Sequence, residues 1–168
     1  MATRTRITEE LYLRSTFEPD AEFVRGEIAV RSLPDYLHSK IQGLLLIWFG
    51  RLMERHRVQP CPELRMHLGP GVYRVPDVAL IAGPELEMRF PDTAPLVTVE
   101  IVSLDDRYPD VIEKLEEYRK WGVPHIWLVD PHKKRLGVYN ESGLQDVSSL
   151  TLSEYNFEIP AQQLFAGL

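Results

Sequence analysis

The longest hydrophobic pattern in the chain lies between residues 35 and 57 and has helical spacing. Its apolar positions in "DYLHSKIQGLLLIWFGRLMERHR" are Leu37, Ile41, Leu44, Leu45, Trp48 and Leu52. This spacing predicts a long helix that begins near Asp35, with three arginines near its C-terminal end, where cations are favoured. Residues 44–49 are apolar on every side of such a helix, which predicts that they are buried in a core or an interface.

Shorter patterns precede this helix. The stretch "TRITEELYLR" predicts a short helix with Thr8 as its N-cap. The segments "AEFV" and "EIAV" are separated only by Arg25 and Gly26, which predicts a β-hairpin with a two-residue turn.

Strand patterns dominate the second half of the chain. "ELRMHL", "VYRVPDVALIA" and "LVTVEIVS" predict three strands, and "HIWLVD" and "LGVYN" predict two more. Between them, "YPDVIEKLEEYRKWGVP" predicts a helix with Pro109 in its first turn and Gly122 at its C-terminal cap. The predicted fold is therefore a single α/β (α+β) domain of residues 1–168. Its core runs helix, three strands, helix, strand, and an N-terminal helix and hairpin precede it.

Composition narrows the class of protein. The 168 residues are 44% hydrophobic and 26% charged, as in an ordinary soluble globular domain. The net charge is −6 and no basic run is longer than "KKR" at 133–135, which disfavours tight non-specific binding to nucleic acid. The net charge does not exclude a basic groove on one part of the surface.

Cys61 is the single cysteine, so an internal disulfide and a zinc set that needs a second cysteine are excluded, and a structural thiol is expected. The sequence shows no signal peptide and no 18-residue apolar stretch. Together with the cysteine count, this predicts a cytoplasmic protein with no membrane partner.

Three charged residues are candidates for chemistry. Glu100 interrupts the apolar run "PLVTVEIVS", although a glutamate is rarely buried unless it is paired, protonated or bound to a metal. Asp77 follows Pro76, where a strand begins or is interrupted, and Lys114 flanks the apolar stripe of the second long helix. Taken singly, each also has a structural interpretation. Asp77 fits a strand start, Glu100 fits an ion pair with an arginine, and Lys114 fits a solvated surface lysine. However, Glu100 closes a strand and Lys114 opens the next helix, so the two approach each other if the helix folds back on the sheet.

The motifs "VPDVALIA", "LVTVEIVSLDDR" and "EKLEEYRKWGVPHIWLVDP", with "AEFVRGEIAV" and "LPDYLHSK" upstream, resemble those of the Uma-two (Uma2) family of restriction endonucleases. This family is a branch of the PD-(D/E)XK nuclease superfamily. The resemblance covers roughly residues 5–140. It implies a restriction-endonuclease-like core with the element order given above.

The resemblance also implies metal-dependent hydrolysis of phosphodiester bonds. Asp77, Glu100 and the backbone carbonyl of Ile101 would bind Mg²⁺, for which Mn²⁺ is a possible substitute. The usual lysine two residues after the acid is Val102, and Lys114 would replace it. His38 and Tyr118 would contribute to substrate binding. The implied substrate is nucleic acid, with double-stranded DNA expected.

The residue types suit this chemistry on physical grounds. Mg²⁺ prefers oxygen ligands, typically one or two carboxylates with water and phosphate, and a bound metal makes water more acidic. An ammonium group near the phosphate can orient the attacking water or stabilise the transition-state charge.

Two other functions, that of a silent binding module and that of a metal-free hydrolase, compete with the nuclease interpretation. Val102 and the acidic net charge also fit a catalytically silent nuclease fold that binds DNA or protein, and this alternative stays open. A metal-free hydrolase lacks a nucleophile motif, because Ser103 lies in "VSL" and not in "GxSxG".

A homodimer is expected because cutting both strands of a duplex requires two active sites related by a two-fold axis. The apolar segment "LLLIWF" and the hairpin "AEFVRGEIAV" would supply the apolar surface for its interface.

Overall fold

The structure is a computed structural model that describes residues 5–168, so residues 1–4 of the predicted domain lie outside the described residues. Its central sheet has six strands in the order β11-β10-β9-β8-β7-β4. These strands are β4 (Val58–Pro62), β7 (Val78–Ala82), β8 (Val97–Ile101), β9 (His125–Asp130), β10 (Arg135–Asn140) and β11 (Gly143–Val147). Strands β8 and β9 pair in parallel and the other pairs are antiparallel.

A second sheet holds the N-terminal hairpin and has five strands in the order β1-β3-β2-β6-β5. They are β1 (Thr5–Arg6), β2 (Ala21–Val24), β3 (Glu27–Val30), β5 (Met66–Gly69) and β6 (Val72–Arg74). The predicted two-residue turn is confirmed. Arg25 and Gly26 have φ angles of 51° and 88°, the positive values that a hairpin turn matched to strand twist requires.

Four helices complete the described chain with a C-terminal hairpin. They are α1 (Glu9–Arg14), α2 (Tyr36–Met53), α3 (Tyr108–Trp121) and α4 (Ala161–Leu164), and the hairpin strands are β12 (Ser149–Leu152) and β13 (Phe157–Pro160). The predicted N-cap of α1 and the predicted start of α2 near Asp35 are confirmed. Thr8 accepts a hydrogen bond from the Leu11 amide and Asp35 accepts one from the His38 amide. The helix α2 ends at Met53, before the last two of the three arginines predicted near its end.

The central sheet buries both of its faces. On one face, Val97, Val99 and Ile101 pack against α2 in the main hydrophobic cluster. On the other face, Leu115 and Tyr118 of α3 pack in a second cluster with residues of β7 and β9. Since side chains alternate along a strand, Thr98 and Glu100 of β8 point to the α3 side, as the sequence predicts.

The predicted core order is confirmed, because α2, β4, β7, β8, α3 and β9 follow one another with a central sheet between the helices. Two strand assignments were wrong in detail. "VYRVPDVALIA" forms β6 and β7 in different sheets, because Pro76 has no amide hydrogen and the chain leaves one ladder there. "ELRMHL" contributes β5 to the second sheet, and the first core strand is β4. The prolines of β4 are tolerated because it is an edge strand.

The C-terminal hairpin covers the apolar segment of α2. The Phe157 ring stacks on Phe49 at 5.9 Å and meets Trp48 edge-on at 6.2 Å between ring centroids. Of residues 44–49, Ile47 alone is exposed, at 59%. Most of the surface that the sequence predicted for a dimer interface is therefore core of the same chain.

Among residues 5–168, no helix combines the length and the hydrophobicity that are needed to cross a lipid bilayer.

Candidate active site

Asp77 lies at the break between the two sheets, directly before β7. Its Oδ1 accepts a hydrogen bond from Arg31 at 2.8 Å, and its Oδ2 accepts one from the backbone amide of Ile101 at 2.7 Å. The Nε2 of His38 is 3.3 Å from Oδ2. Burial favours the neutral acid, but the hydrogen bond from His38 and the charge of Lys114 outweigh burial and lower the pKa of Asp77. The Ile101 contact fixes the carboxylate beside the end of β8.

Glu100 is buried one residue before that contact. Its Oε2 is 2.9 Å from the Lys114 ammonium, and its Oε1 accepts a hydrogen bond from the Tyr118 hydroxyl at 2.8 Å. Burial, with the negative charges of Asp77 and Glu22, raises the pKa of Glu100 to about 7, although Lys114 opposes this shift. The carboxylate is therefore buried near two other acids with Lys114 as its cationic partner, a setting in which a further cation favours the ionised form.

Lys114 points into the protein and is not a solvated surface residue. Its Nζ lies 2.7 Å from Glu22 and 2.9 Å from Glu100, and donates a hydrogen bond to the carbonyl of Val75 at 3.0 Å. Burial lowers the pKa of this lysine, but the surrounding carboxylates outweigh burial and raise it. The side chain remains charged and is held from three sides.

Glu22 is a third buried acid that the sequence did not reveal. Its carboxylate accepts a hydrogen bond from the Val75 amide at 2.8 Å and pairs with Arg74 at 2.8 Å. Burial raises its pKa, but Lys114 and Arg74 outweigh burial and hold the pKa at about 2. In "AEFV" the residue looks like an ordinary outward polar position of a short strand. The signal that identified Glu100, a charge inside a long apolar run, is absent there.

Arg31 is the other residue that the sequence did not reveal. It follows β3 and pairs with Asp77 through one nitrogen, while its other terminal nitrogen lies 3.7 Å from Glu63. A single arginine in a loop carries no recognisable spacing, so the pairing depends on the tertiary fold.

His38 and Tyr118 adjoin the two central acids, one each. His38 is buried, and burial lowers its pKa, but the hydrogen bond and charge of Asp77 outweigh burial and raise it. Within residues 5–168 the Nδ1 of His38 is buried without a hydrogen-bond partner. Tyr118 is fully buried behind Glu100, so its contact is with that carboxylate.

Apart from Tyr118, these side chains line one cleft of about 380 Å³ between the second sheet and the N-terminal end of α3. Ile101 and Val102 also line this cleft. Val102 occupies the position where the motif usually has a lysine, so the lining is apolar at that point. Further acids line the cleft, namely Glu27, Asp105, Asp106, Asp110 and Glu113. The structure thus brings Asp77, Glu100 and Lys114 together, as predicted, in a cleft whose charged lining residues are mostly acidic.

The donor chemistry of this cleft fits a hard divalent cation. Asp77 lies directly before β7, which pairs with β8, and its charge contributes to the raised pKa of Glu100. Carboxylate oxygens are the ligands that Mg²⁺ prefers. Within residues 5–168 there is no ready-made group of three His, Cys, Asp or Glu side chains around a metal position. Instead, Arg31 and Lys114 balance the two carboxylates.

Comparison with known proteins gives a family and a fold. The model of the Uma2 family, described as "Putative restriction endonuclease", matches residues 9–167. The fold is similar to the crystal structure of a protein from Anabaena variabilis described as a "putative nuclease belonging to DUF820". The TM-score is 0.85 at 23% sequence identity, and the match covers 95% of this chain and 98% of that one. A comparison with curated proteins gives no match.

Proposed function

We propose that this chain, which belongs to the Uma2 family of restriction endonucleases, is a metal-dependent nuclease that hydrolyses phosphodiester bonds of DNA. The observation that carries the proposal is the convergence of Asp77, Glu100 and Lys114 on one cleft. Two neighbouring carboxylates can hold a metal ion and a buried ammonium can stabilise developing negative charge, so these groups suit metal-dependent hydrolysis of a phosphodiester.

The metal ligands in this proposal are Asp77, Glu100 and the backbone carbonyl of Ile101. They would hold Mg²⁺, or Mn²⁺ in its place, and the ion would make a bound water more acidic and offset the charge of the phosphate. The protein orients these ligands itself. Arg31 and the Ile101 amide hold Asp77, and the Tyr118 hydroxyl holds Glu100.

The usual lysine of the motif is absent here, because position 102 is a valine. Lys114 is proposed to take the role of that lysine. Its contacts with Glu22 and with the Val75 carbonyl do not involve the metal ligands. The ammonium therefore keeps its place when Glu100 binds a cation, and it can stabilise the negative charge that develops on the phosphate.

His38 and Tyr118 differ in their access to a substrate. His38 lines the cleft next to Asp77, so contact with a bound phosphate is proposed for it. Tyr118 does not line the cleft and is fully buried, which favours positioning of Glu100 over direct substrate contact.

Double-strand cleavage by a homodimer is part of the proposal on grounds of symmetry. The apolar surface that remains for an interface on α2 includes Tyr36, which is 75% exposed, and Ile47. Light scattering tests it, since a monomer has a mass of 19.4 kDa. A dimer should bury more than about 1,000 Å². The cytoplasm is the proposed compartment, in keeping with the one free cysteine.

A catalytically silent DNA- or protein-binding module is the second candidate. It is favoured by the ion pairs that already balance Asp77 and Glu100, and by the acidic lining of the cleft.

Two lysines of α3 provide a matched test of these candidates. Lys114→Ala should abolish Mg²⁺-dependent cleavage of plasmid DNA. Lys120→Ala should leave it unchanged, because Lys120 is on the exposed side of the helix and pairs only with Glu116 at 3.6 Å among the described residues. Equal cleavage by both variants would remove Lys114 from the mechanism. No cleavage by the unmodified protein with any divalent metal would favour the silent module.

A further inference from the structure

A second cleft lies beside the active-site cleft. Val102, Asp106, Val111 and Leu128 line both clefts, so the two clefts adjoin at the end of β8 and the start of α3. The second cleft has a volume of about 360 Å³, which is within the range of small-ligand sites.

Val102 forms part of the surface where the two clefts meet. It follows Ile101 and, by strand alternation, lies on the same side as Glu100. A valine is shorter than a lysine and carries no charge. The lining that the two clefts share is apolar at Val102, Val111 and Leu128 and charged only at Asp106.

The second cleft combines an open aromatic ring with two cations. Tyr108, the first residue of α3, lines it and is 65% exposed. Lys133 and Arg135 line it as well, and Leu128 and Leu136 supply apolar surface. A flat aromatic surface for a base, with cations nearby for a phosphate, is the usual way in which proteins hold unpaired nucleotides.

The charges favour an unpaired nucleotide over a long duplex. Lys133 pairs with Asp130, and Arg135 pairs with Asp146, and these ion pairs involve largely exposed cations. Exposed ion pairs contribute little, so one phosphate can replace a carboxylate at small cost. The same acids repel a backbone that brings many phosphates to this surface, whereas stacking does not depend on net charge.

We propose that Tyr108 stacks on the base of an unpaired nucleotide next to the scissile phosphate, so that the preferred DNA has a single-stranded segment at the cut. The position relative to the cut rests on the proposed nuclease function. The binding of a base by Tyr108 does not, because it is measured without cleavage.

The test is fluorescence anisotropy with a labelled oligothymidine of about 12 nucleotides and a blunt duplex of the same length. Ca²⁺ replaces Mg²⁺, since it takes the same oxygen ligands. Tyr108→Ala should weaken oligothymidine binding roughly 5- to 150-fold, which is the loss of one stacked base. Tyr108→Phe keeps the ring and should bind like the unmodified protein.

Leu11→Ala is the control and should leave binding unchanged, because Leu11 lies on α1, is 52% exposed and lines neither cleft. Equal affinity of Tyr108→Ala and the unmodified protein, or no binding of oligothymidine, would overturn the proposal. If Lys114-dependent cleavage persists while Tyr108→Ala binds normally, the base site alone fails. If cleavage is absent while Tyr108→Ala binds weakly, the base site stands and the nuclease function fails.

Discussion

The two faces of β8 show how one strand serves two purposes. Val97, Val99 and Ile101 face α2 and are packed in a purely apolar cluster. Glu100 lies between them in sequence, faces α3, and is held among Lys114, Tyr118 and two other carboxylates. The α2 face gives stability through burial of apolar surface, whereas the α3 face keeps charges out of water at a cost in stability. A buried charge cluster opposite a well-packed core is the arrangement expected of a binding or catalytic site.

The largest stability change should come from the α2 face. Phe49 is fully buried and stacks on Trp127 at 5.8 Å between ring centroids. Phe49→Ala should lower the free energy of unfolding by about 3–5 kcal/mol, through lost apolar contacts and a cavity. Urea unfolding measures this loss, and DNA cleavage per folded molecule should not change. A loss below about 1 kcal/mol would show that the two faces do not differ as described.

A smaller change, dependent on pH, is expected on the α3 face. Glu22 has a pKa of about 2 in the folded protein against an ordinary value of 4.5, because Lys114 and Arg74 outweigh the effect of burial. A lowered pKa contributes stability that is present above about pH 4.5 and is lost as the pH falls toward 2.

The measurement is the free energy of unfolding at pH 5 and at pH 3. From the higher to the lower pH, the unmodified protein should lose about 2 kcal/mol more than Glu22→Gln does. Glu10→Gln removes an exposed glutamate of α1, whose side chain is 71% exposed, and should behave like the unmodified protein. Parallel pH curves for all three proteins would contradict the account of Glu22.

Tyr118→Phe should lower the free energy of unfolding less than the two changes above, and it should also change the metal dependence of cleavage. The variant keeps the buried ring and removes only the hydroxyl that donates to Glu100. A hydrogen bond to a charged group contributes about 1.5–3 kcal/mol, and replacement of the hydroxyl leaves Glu100 with Lys114 as its partner. We expect a stability loss near the lower end of this range, about 1.5 kcal/mol. The metal dependence of cleavage should shift to higher Mg²⁺ concentrations. An unchanged metal dependence would show that Tyr118 does not position Glu100.

The sequence predicted those features that depend on long patterns. The alternation in "VTVEI" placed Glu100 opposite the apolar face, and the spacing from Glu100 to Lys114 brought the two together. Glu22 could not be predicted, since a charge in a four-residue strand is ordinary. Strand β4 was not predicted, because its prolines are unfavourable except at a sheet edge, and the sequence does not show which strand is the edge. The division of "VYRVPDVALIA" between two sheets is likewise a tertiary property.

The packing of the C-terminal hairpin on α2 is a second feature that the sequence predicted only in part. Residues 44–49 are buried or half-buried as predicted, except Ile47, but the sequence left open whether a core or a partner subunit covers them. The rings of Trp48 and Phe49 contact Phe157, which lies over 100 residues later in the chain. Short strands near the C-terminus carry too weak a pattern to identify that partner.

Titration of Mn²⁺ into the protein is the most direct test of why Glu100 is buried. Calorimetry should detect a binding event in the unmodified protein that is lost in both Asp77→Asn and Glu100→Gln, while Glu116→Gln, a change on α3 outside both clefts, retains it. The same binding in all four proteins, or no binding in the unmodified protein, would contradict the claim that the acids of this cleft hold a divalent cation.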